Sequence, residues 1–364
     1  MPRSAPYAPK RAVGTQNESV VRLAIVAGEG VGPEVTQSAL AVMEAAARIA
    51  DLPFEVTIAK PVMTRDDWGL CLNDTIRSFY SDAFNAGIPV LHGPMGGQYV
   101  YQLRREWDLP LKYTPVVPMA ELADAAVVRN SALGDVDIVV IRDNSEGLYQ
   151  GAFGWNDART EAFHEARYSV AATERVVAAA VNAAQARSGK LAVVVKPGGV
   201  PAISALWREV TQRLVPGGVE VEFIEVDNAC FQLVANPHRF DVIVAPNLFG
   251  DIISDTATTL LGSRGLSYSA NFGDHDGAVF QTAHGAAHDL AGTNTANPIA
   301  HILSAAWAAS WSTGRSDVAD SVASAVARVV GAGLRTADIA AVDSRIVSTT
   351  QMTHAIVSEL EQGQ

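Results

Sequence analysis

Cysteine is scarce. Only Cys71 and Cys230 occur in 364 residues, far apart and outside any CxxC pair. That excludes a disulfide framework and a thiolate zinc site, and it fits a reducing cytoplasm. Basic charge is also short, with 27 Lys and Arg against 39 Asp and Glu, a net charge of −12. So acidic a chain lacks the clustered cations that neutralise nucleic-acid phosphates, although local basic pockets for small anions remain open to it. No apolar run reaches the ~18 residues of a membrane helix. The nearest, Ile299–Trp311, is shorter and carries His301 and Ser304. Residues 1–20 include Arg3, Lys10 and Arg11 but no apolar segment, so they read as a loose tail rather than a secretory signal. Repeats with a period of roughly 20–50 residues are missing too, which removes solenoids.

What remains is globular. Hydrophobic residues make up 48% and charged ones 18%, and at roughly 150 residues per domain the length suggests two domains. Short β-branched runs alternate with long Ala-rich stretches. The pattern predicts strands at Val21–Ala27, Phe54–Ala59, Val136–Ile141, Leu191–Lys196, Glu220–Val226 and Asp241–Ala245. Helices are expected at Pro33–Ala50, Asp74–Ala86, Thr173–Arg187, Ala205–Leu214 and Ile299–Ser312. Such alternation specifies an α/β fold with a large, partly parallel sheet. VDIVVI and LAVVV are unbroken apolar runs, as strands covered on both faces require. No linker divides the chain, so two lobes sharing one sheet are expected.

Several segments carry chemistry. Gly28-Glu29-Gly30-Val31-Gly32-Pro33 joins the first strand to the first helix, but the GxGxxG fingerprint fails where Pro33 replaces the third glycine. Proline is a good first-turn residue, so this is a tight strand-to-helix turn and not a Rossmann signature. Asp251 and Asp255 are four residues apart and share one helix face. There they either hold a hard divalent cation such as Mg²⁺ or Mn²⁺ or lie solvated near a helix N-terminus. Arg142, Lys196 and Asp227 each stand at the end of a strand, the edge where open α/β sheets gather their sites. Each alone reads as a polar strand exit; together they point to a site. Desolvation of Lys196 would lower its pKa toward that of a general base.

Taken together, GEGVGPEV, LRREWDL, VIRDNSEGLYQG, VDNACFQLVANPHRFDVIVAPNLFGDIISD and the stretch HGAAHDLAGTNTANP make the chain resemble the β-decarboxylating dehydrogenases. These comprise isocitrate, isopropylmalate, homoisocitrate and tartrate/D-malate dehydrogenases. The resemblance runs from about Val21 to the end. It implies a two-lobe isocitrate/isopropylmalate dehydrogenase-like fold with a large mixed sheet, one lobe from residues 21–110 plus 262–364 and the other, the substrate and dimerisation lobe, from 111–261. It further implies a homodimer with shared active sites, in which Lys196 and Asp227 serve the partner's site. The divalent metal would lie between Asp251, Asp255 and the partner's Asp227. NAD would be held by the loop containing His284, Gly285, Asp289 and Asn297, Asp289 facing the adenosine ribose in NAD-specific members. Lys196 would take the hydroxyl proton, Tyr149 would protonate the enolate left by CO₂ loss, and Arg104 and Arg142 would hold carboxylates. The substrate implied is a 3-substituted malate.

Three positions depart from the family's pattern. Thr114 stands where a third arginine is usual, and Lys112 nearby could compensate without the same planar fork. Pro197-Gly198 follows Lys196 in place of Ala-Asn. Gln98 and Val100, flanked by Tyr99 and Tyr101, stand where isocitrate enzymes carry Ser and Asn. These departures point to a non-standard substrate, a phosphonate analogue among them. Alternatives are a tartrate/D-malate-type dehydrogenase, dehydrogenation without CO₂ loss, and a non-catalytic regulatory subunit.

Overall fold

The computed structural model describes residues 9, 19–60, 64–128, 133–274 and 277–363. The tail expected over residues 1–20 falls almost wholly outside them. In chain order the strands are β1 (Val21–Val26), β2 (Phe54–Ile58), β3 (Thr64–Asp66), β4 (Gly69–Cys71), β5 (Val90–His92), β6 (Leu111–Val116), β7 (Ile138–Asp143) and β8 (Phe153–Trp155). They continue as β9 (Ala162–His164), β10 (Lys190–Val195), β11 (Glu220–Glu225), β12 (Val242–Ala245), β13 (Tyr268–Phe272), β14 (Ala278–Thr282), β15 (Leu334–Arg335) and β16 (Arg345–Ile346). The helices are α1 (Gly32–Ile49), α2 (Asp74–Asn85), α3 (Tyr99–Glu106), α4 (Val170–Gln185) and α5 (Pro201–Leu214). After them come α6 (Val226–Ala235), α7 (Asn247–Thr258), α8 (Ile299–Thr313), α9 (Ser316–Gly331) and α10 (Thr349–Gln362).

Ten strands form one mixed sheet in the order β11-β10-β12-β7-β6-β13-β14-β5-β1-β2. The five from β11 to β6 come from residues 111–261, and the five from β13 to β2 from residues 21–110 and 262–364. Within the first group β11, β10, β12 and β7 are parallel. Within the second, β14, β5, β1 and β2 are parallel. Antiparallel β6 and β13 join the two groups at the middle. The central strands β7, β10 and β12 are buried along almost their whole length, as their unbroken apolar sequences require. Helix α1 starts with Pro33 in its first turn, where the missing N–H costs nothing.

The expected strands and helices are present, with boundaries shifted by a few residues. One shift matters: β7 continues to Asp143, so Arg142 lies inside a strand rather than beyond it. Another correction concerns Asp227, which occupies the first turn of α6 instead of closing a strand. The sequence pattern does not mark β5, β6, β13 and β14 of the large sheet, and β6 and β13 join its two halves.

Candidate active site

Because β7, β12, β10 and β11 are parallel, their C-terminal ends share one edge of the sheet, and antiparallel β6 begins at that edge. Arg142, Asn247, Lys196, Asp227 and Lys112 therefore leave the backbone there. Arg142 is 2% exposed. Its Nε and Nη2 donate to Asn247 Oδ1 at 3.1 and 2.8 Å, and its Nη1 pairs with Asp251. Asn247 in turn donates to the Glu146 carbonyl at 2.7 Å, fixing the start of α7. The Tyr149 hydroxyl donates to Asp251 Oδ2 at 3.1 Å, and its ring lies 5.4 Å from the Arg142 guanidinium carbon.

Charge on these groups is strongly biased. Burial and the Asp251 carboxylate raise the Tyr149 hydroxyl to about 12, which keeps it a proton donor at neutral pH. Burial alone would raise Asp251, but Arg142 and then Lys112 outweigh it and hold the carboxyl below its ordinary value. Burial and Arg142 push Arg104 down. Burial, Arg142 and Arg104 push Lys112 down to about 7. Two guanidinium groups and a lysine whose charge burial disfavours thus crowd one partly buried carboxylate.

The residues around the first arginine divide. Tyr99 turns into the core, where it packs with Tyr80 and His92, and so does not line the cleft. Tyr101 faces the site instead, with its ring 5.3 Å from that of Tyr149 and 5.7 Å from the Arg104 guanidinium carbon. Gln98 precedes the first turn of α3 and Val100 packs partly against the core there. Thr114 is fully buried, and its Oγ1 has no hydrogen-bond partner among the described residues. Gln150, which the sequence did not single out, ties the segments together. It donates to the carbonyls of Tyr101 and Asn144 and accepts from Arg105.

Lys196 differs from expectation. It is not desolvated; its ammonium binds Asp227 at 2.8 Å and Glu225 at 2.7 Å, and both carboxylates raise its pKa. Lys196 likewise holds Asp227 below the ordinary carboxylate range. The physical reason is the neighbouring strand: β11 ends in Glu225 beside β10, placing acids on the lysine. Asp227 therefore pairs with Lys196 in its own chain. Asp255, one helical turn from Asp251, is exposed and pairs with Arg264. Among the described residues no three His, Cys, Asp or Glu side chains converge into a metal cluster. Asp251 and Asp255, two hard oxygen donors on one helix face already drawing cationic partners, fit a divalent ion as part of a larger ligand set.

The glycine-rich turn is explained by packing. Gly30 adopts a left-handed φ of 61°, and a side chain there would collide with the Ala286 carbonyl, which accepts from Val31 N at 2.8 Å. The turn thus seats the loop from His284 to Asn297. In that loop Ala287 and Asn294 also have left-handed φ, 43° and 59°, a conformation non-glycine residues adopt rarely and often near functional sites. Asn294 is hydrogen-bonded to the start of α10. His284 Nδ1 lies 2.9 Å from the Gly285 carbonyl, and burial lowers its pKa. Asp289 and Gly285 are exposed. Asn297 is spoken for: its amide donates to Asp338 at 3.0 Å and accepts from Ile299 N in the first turn of α8. A cavity of about 920 Å³, between Asp137, Asp241, Tyr268 and Arg328, opens at the opposite edge of the sheet and contains none of these groups.

Arg142 on β7, Lys112 on β6 and Arg104 on α3, all buried, thus lie with Tyr149 and Asp251 at one edge of the sheet. The comparisons narrow the class. A family model described as isocitrate/isopropylmalate dehydrogenase matches residues 22–356. The 3-isopropylmalate dehydrogenase of Syntrophotalea carbinolica is 34% identical, covering 93% of this chain and 98% of its own. That of Wolinella succinogenes is 35% identical, covering 92% and 96%. Among solved structures, the isocitrate dehydrogenase from Methylococcus capsulatus superposes with a TM-score of 0.80 at 29% identity, covering 94% of this chain and 99% of that one. The chain belongs to the isocitrate/isopropylmalate dehydrogenase family, whose members are oxidoreductases decarboxylating hydroxy acids. No helix among the described residues is long and apolar enough to cross a membrane.

Proposed function

We propose that the protein is an NAD- and divalent-metal-dependent dehydrogenase that oxidatively decarboxylates a 3-substituted malate. The observation that carries this reading is the pair of buried cations, Arg104 and Lys112, set beside the Arg142–Asp251–Tyr149 group with no salt bridge of their own among the described residues. Buried charge is retained where a counter-charge arrives, and a dianionic hydroxy acid supplies one. Arg104 and Arg142 bind carboxylate on the substrate. Tyr149, kept protonated, gives its proton to the carbon that has lost CO₂.

The remaining parts come from the dimer and the cofactor loop. Lys196 and Asp227 lie on the surface next to α6 and α7, which expose Phe231, Val234 and Ile252. That apolar face suits a second copy of the chain, across which Asp227 would turn from Lys196 to join Asp251 and Asp255 as metal ligands, and Lys196, relieved of that carboxylate and desolvated in the interface, would become neutral and take up the substrate hydroxyl proton. A bound Mg²⁺ or Mn²⁺ would polarise the nascent carbonyl. The loop carrying His284, Gly285, Asp289 and Asn297 holds NAD, and the Asp289 carboxylate disfavours a cofactor with a 2′-phosphate. Thr114 and the Gln98–Tyr101 segment support a substrate other than the usual isocitrate, a phosphonate analogue included.

The test is a screen for NADH formation and CO₂ release with Mg²⁺ or Mn²⁺. Substrates are 3-isopropylmalate, isocitrate, homoisocitrate, D-malate, tartrate and a phosphonate analogue. NADH and CO₂ in equal amounts from one of them, lost with EDTA, is expected. NADH without CO₂ would leave a simple dehydrogenase, and silence throughout would overturn the reading.

A further inference from the structure

We propose that Lys112 is a specificity-determining residue, the cation that pairs with the second anionic group of a dianionic substrate while Arg104 and Arg142 take the first. This rests on the hydroxy-acid reading above.

The geometry is a row across the sheet. Lys112 on β6 stands directly opposite Arg142 on β7 and opposite Asn271 on β13. It is 6% exposed, and among the described residues it makes no hydrogen bond and no salt bridge. Each neighbour is already committed. Asn271 Oδ1 accepts from Asn144, and its amide donates to the Val279 carbonyl and to Gln281. Asp251 is taken by Arg142 and Tyr149. Asp255 is taken by Arg264. Asp251 and Asp255 thus act on Lys112 only at a distance, and no described residue gives its ammonium a direct hydrogen-bonded counter-ion.

Two residues further along β6, and so on the same face of the strand, lies Thr114. Continuing the register of β6 with β13 by one residue brings Ser269 opposite it. Both hydroxyl oxygens are buried without partners. A lysine almost wholly buried without a hydrogen bond, in front of two idle buried hydroxyls, is costly in the empty protein, and an incoming anion supplies the partner the lysine lacks. A lysine supplies a point charge with rotatable donors rather than a planar fork, so this subsite accepts a tetrahedral oxyanion as readily as a carboxylate.

The test compares wild type with Lys112→Met and Lys112→Arg. Binding of two dianions, D-malate and 3-isopropylmalate, and of two more highly charged acids, isocitrate and a phosphonomethyl-malate, is measured by calorimetry with Mg²⁺ and without NAD. Glycolate, with a single carboxylate, is the control. Lys112→Met should weaken the tightest dianion at least about tenfold, as expected for a lost charged hydrogen bond, leave glycolate unchanged, and keep the fold by circular dichroism. Lys112→Arg should restore most of the affinity. Equal losses for dianion and glycolate, unchanged dianion affinity, or a wild type that binds none of the four would overturn the proposal. Turnover separates it from the functional reading. Dianion binding that depends on Lys112 without NADH formation sinks the dehydrogenase alone. Turnover with a KM indifferent to Lys112→Met sinks the subsite alone.

Discussion

Adding one methyl group at Gly250 should disable the site without unfolding the protein. Gly250 lies in α7 between Asn247 and Asp251, the two residues that hold Arg142. A Cβ there would meet Arg142 Cγ at 2.7 Å, Cβ at 2.8 Å and Cα at 3.3 Å. Carbon atoms rest at roughly 3.5–4.0 Å, and the Cα belongs to a central strand that cannot yield, so α7 must back away by up to about 1 Å. Alanine favours the helix by about 1 kcal/mol over glycine, while overpacking costs about 1–3 kcal/mol. The net loss in Gly250→Ala is therefore about 0–2 kcal/mol, a fall in melting temperature of at most a few degrees for a chain this long. A displacement near 1 Å at a reacting centre costs about 100-fold in rate. Thermal melts and steady-state NADH kinetics read both quantities. Wild-type kcat/KM in Gly250→Ala would show that the α7–β7 contact does not set the site.

Further outcomes follow from the same geometry. Tyr149→Phe removes the donor to Asp251, and kcat should fall at least about 100-fold, as for loss of a general acid, with KM little changed. Lys112 has a folded value of about 7 against an ordinary 10.5, so the unfolded chain alone takes up its proton as pH falls between these values. Stability of the substrate-free protein should thus fall from about pH 10 to 7. Melting curves should show Lys112→Met gaining on wild type over that window and levelling off below it. Asp289→Lys should shift the preference from NAD toward NADP, read as the ratio of kcat/KM for the two cofactors.

Much of this was legible in sequence where local pattern decides structure. The unbroken apolar runs mark β7 and β10, the β-branched run at Asp241–Ala245 marks β12, Pro33 marks the start of α1, and the spacing of Asp251 and Asp255 puts them on one face of α7. Tertiary pairing hid the rest. The strand LKYTPV carries a lysine and a proline and does not read as a buried strand, yet it is β6, wholly buried between the two halves of the sheet. Lys112 lies in the interior of the sheet because β13, far away in sequence, pairs with β6 on the side away from β7. The error at Lys196 has the same origin: the acids that raise its pKa arrive on the adjacent β11 and α6. Tyr99 and Tyr101 look alike in sequence, and only the helical turn of α3 sends one to the core and the other to the cleft.

Shared sites are the claim on which the chemistry depends, and a mixed dimer tests them most directly. Lys196→Met and Asp255→Asn, each inactive alone, are coexpressed with different tags and the mixed dimer is purified. If Lys196 serves the opposite protomer, one site keeps both residues while the other loses both, and about half of wild-type activity returns. A mixed dimer as inactive as its parents would place Lys196 and Asp255 in one chain's site and contradict the shared arrangement.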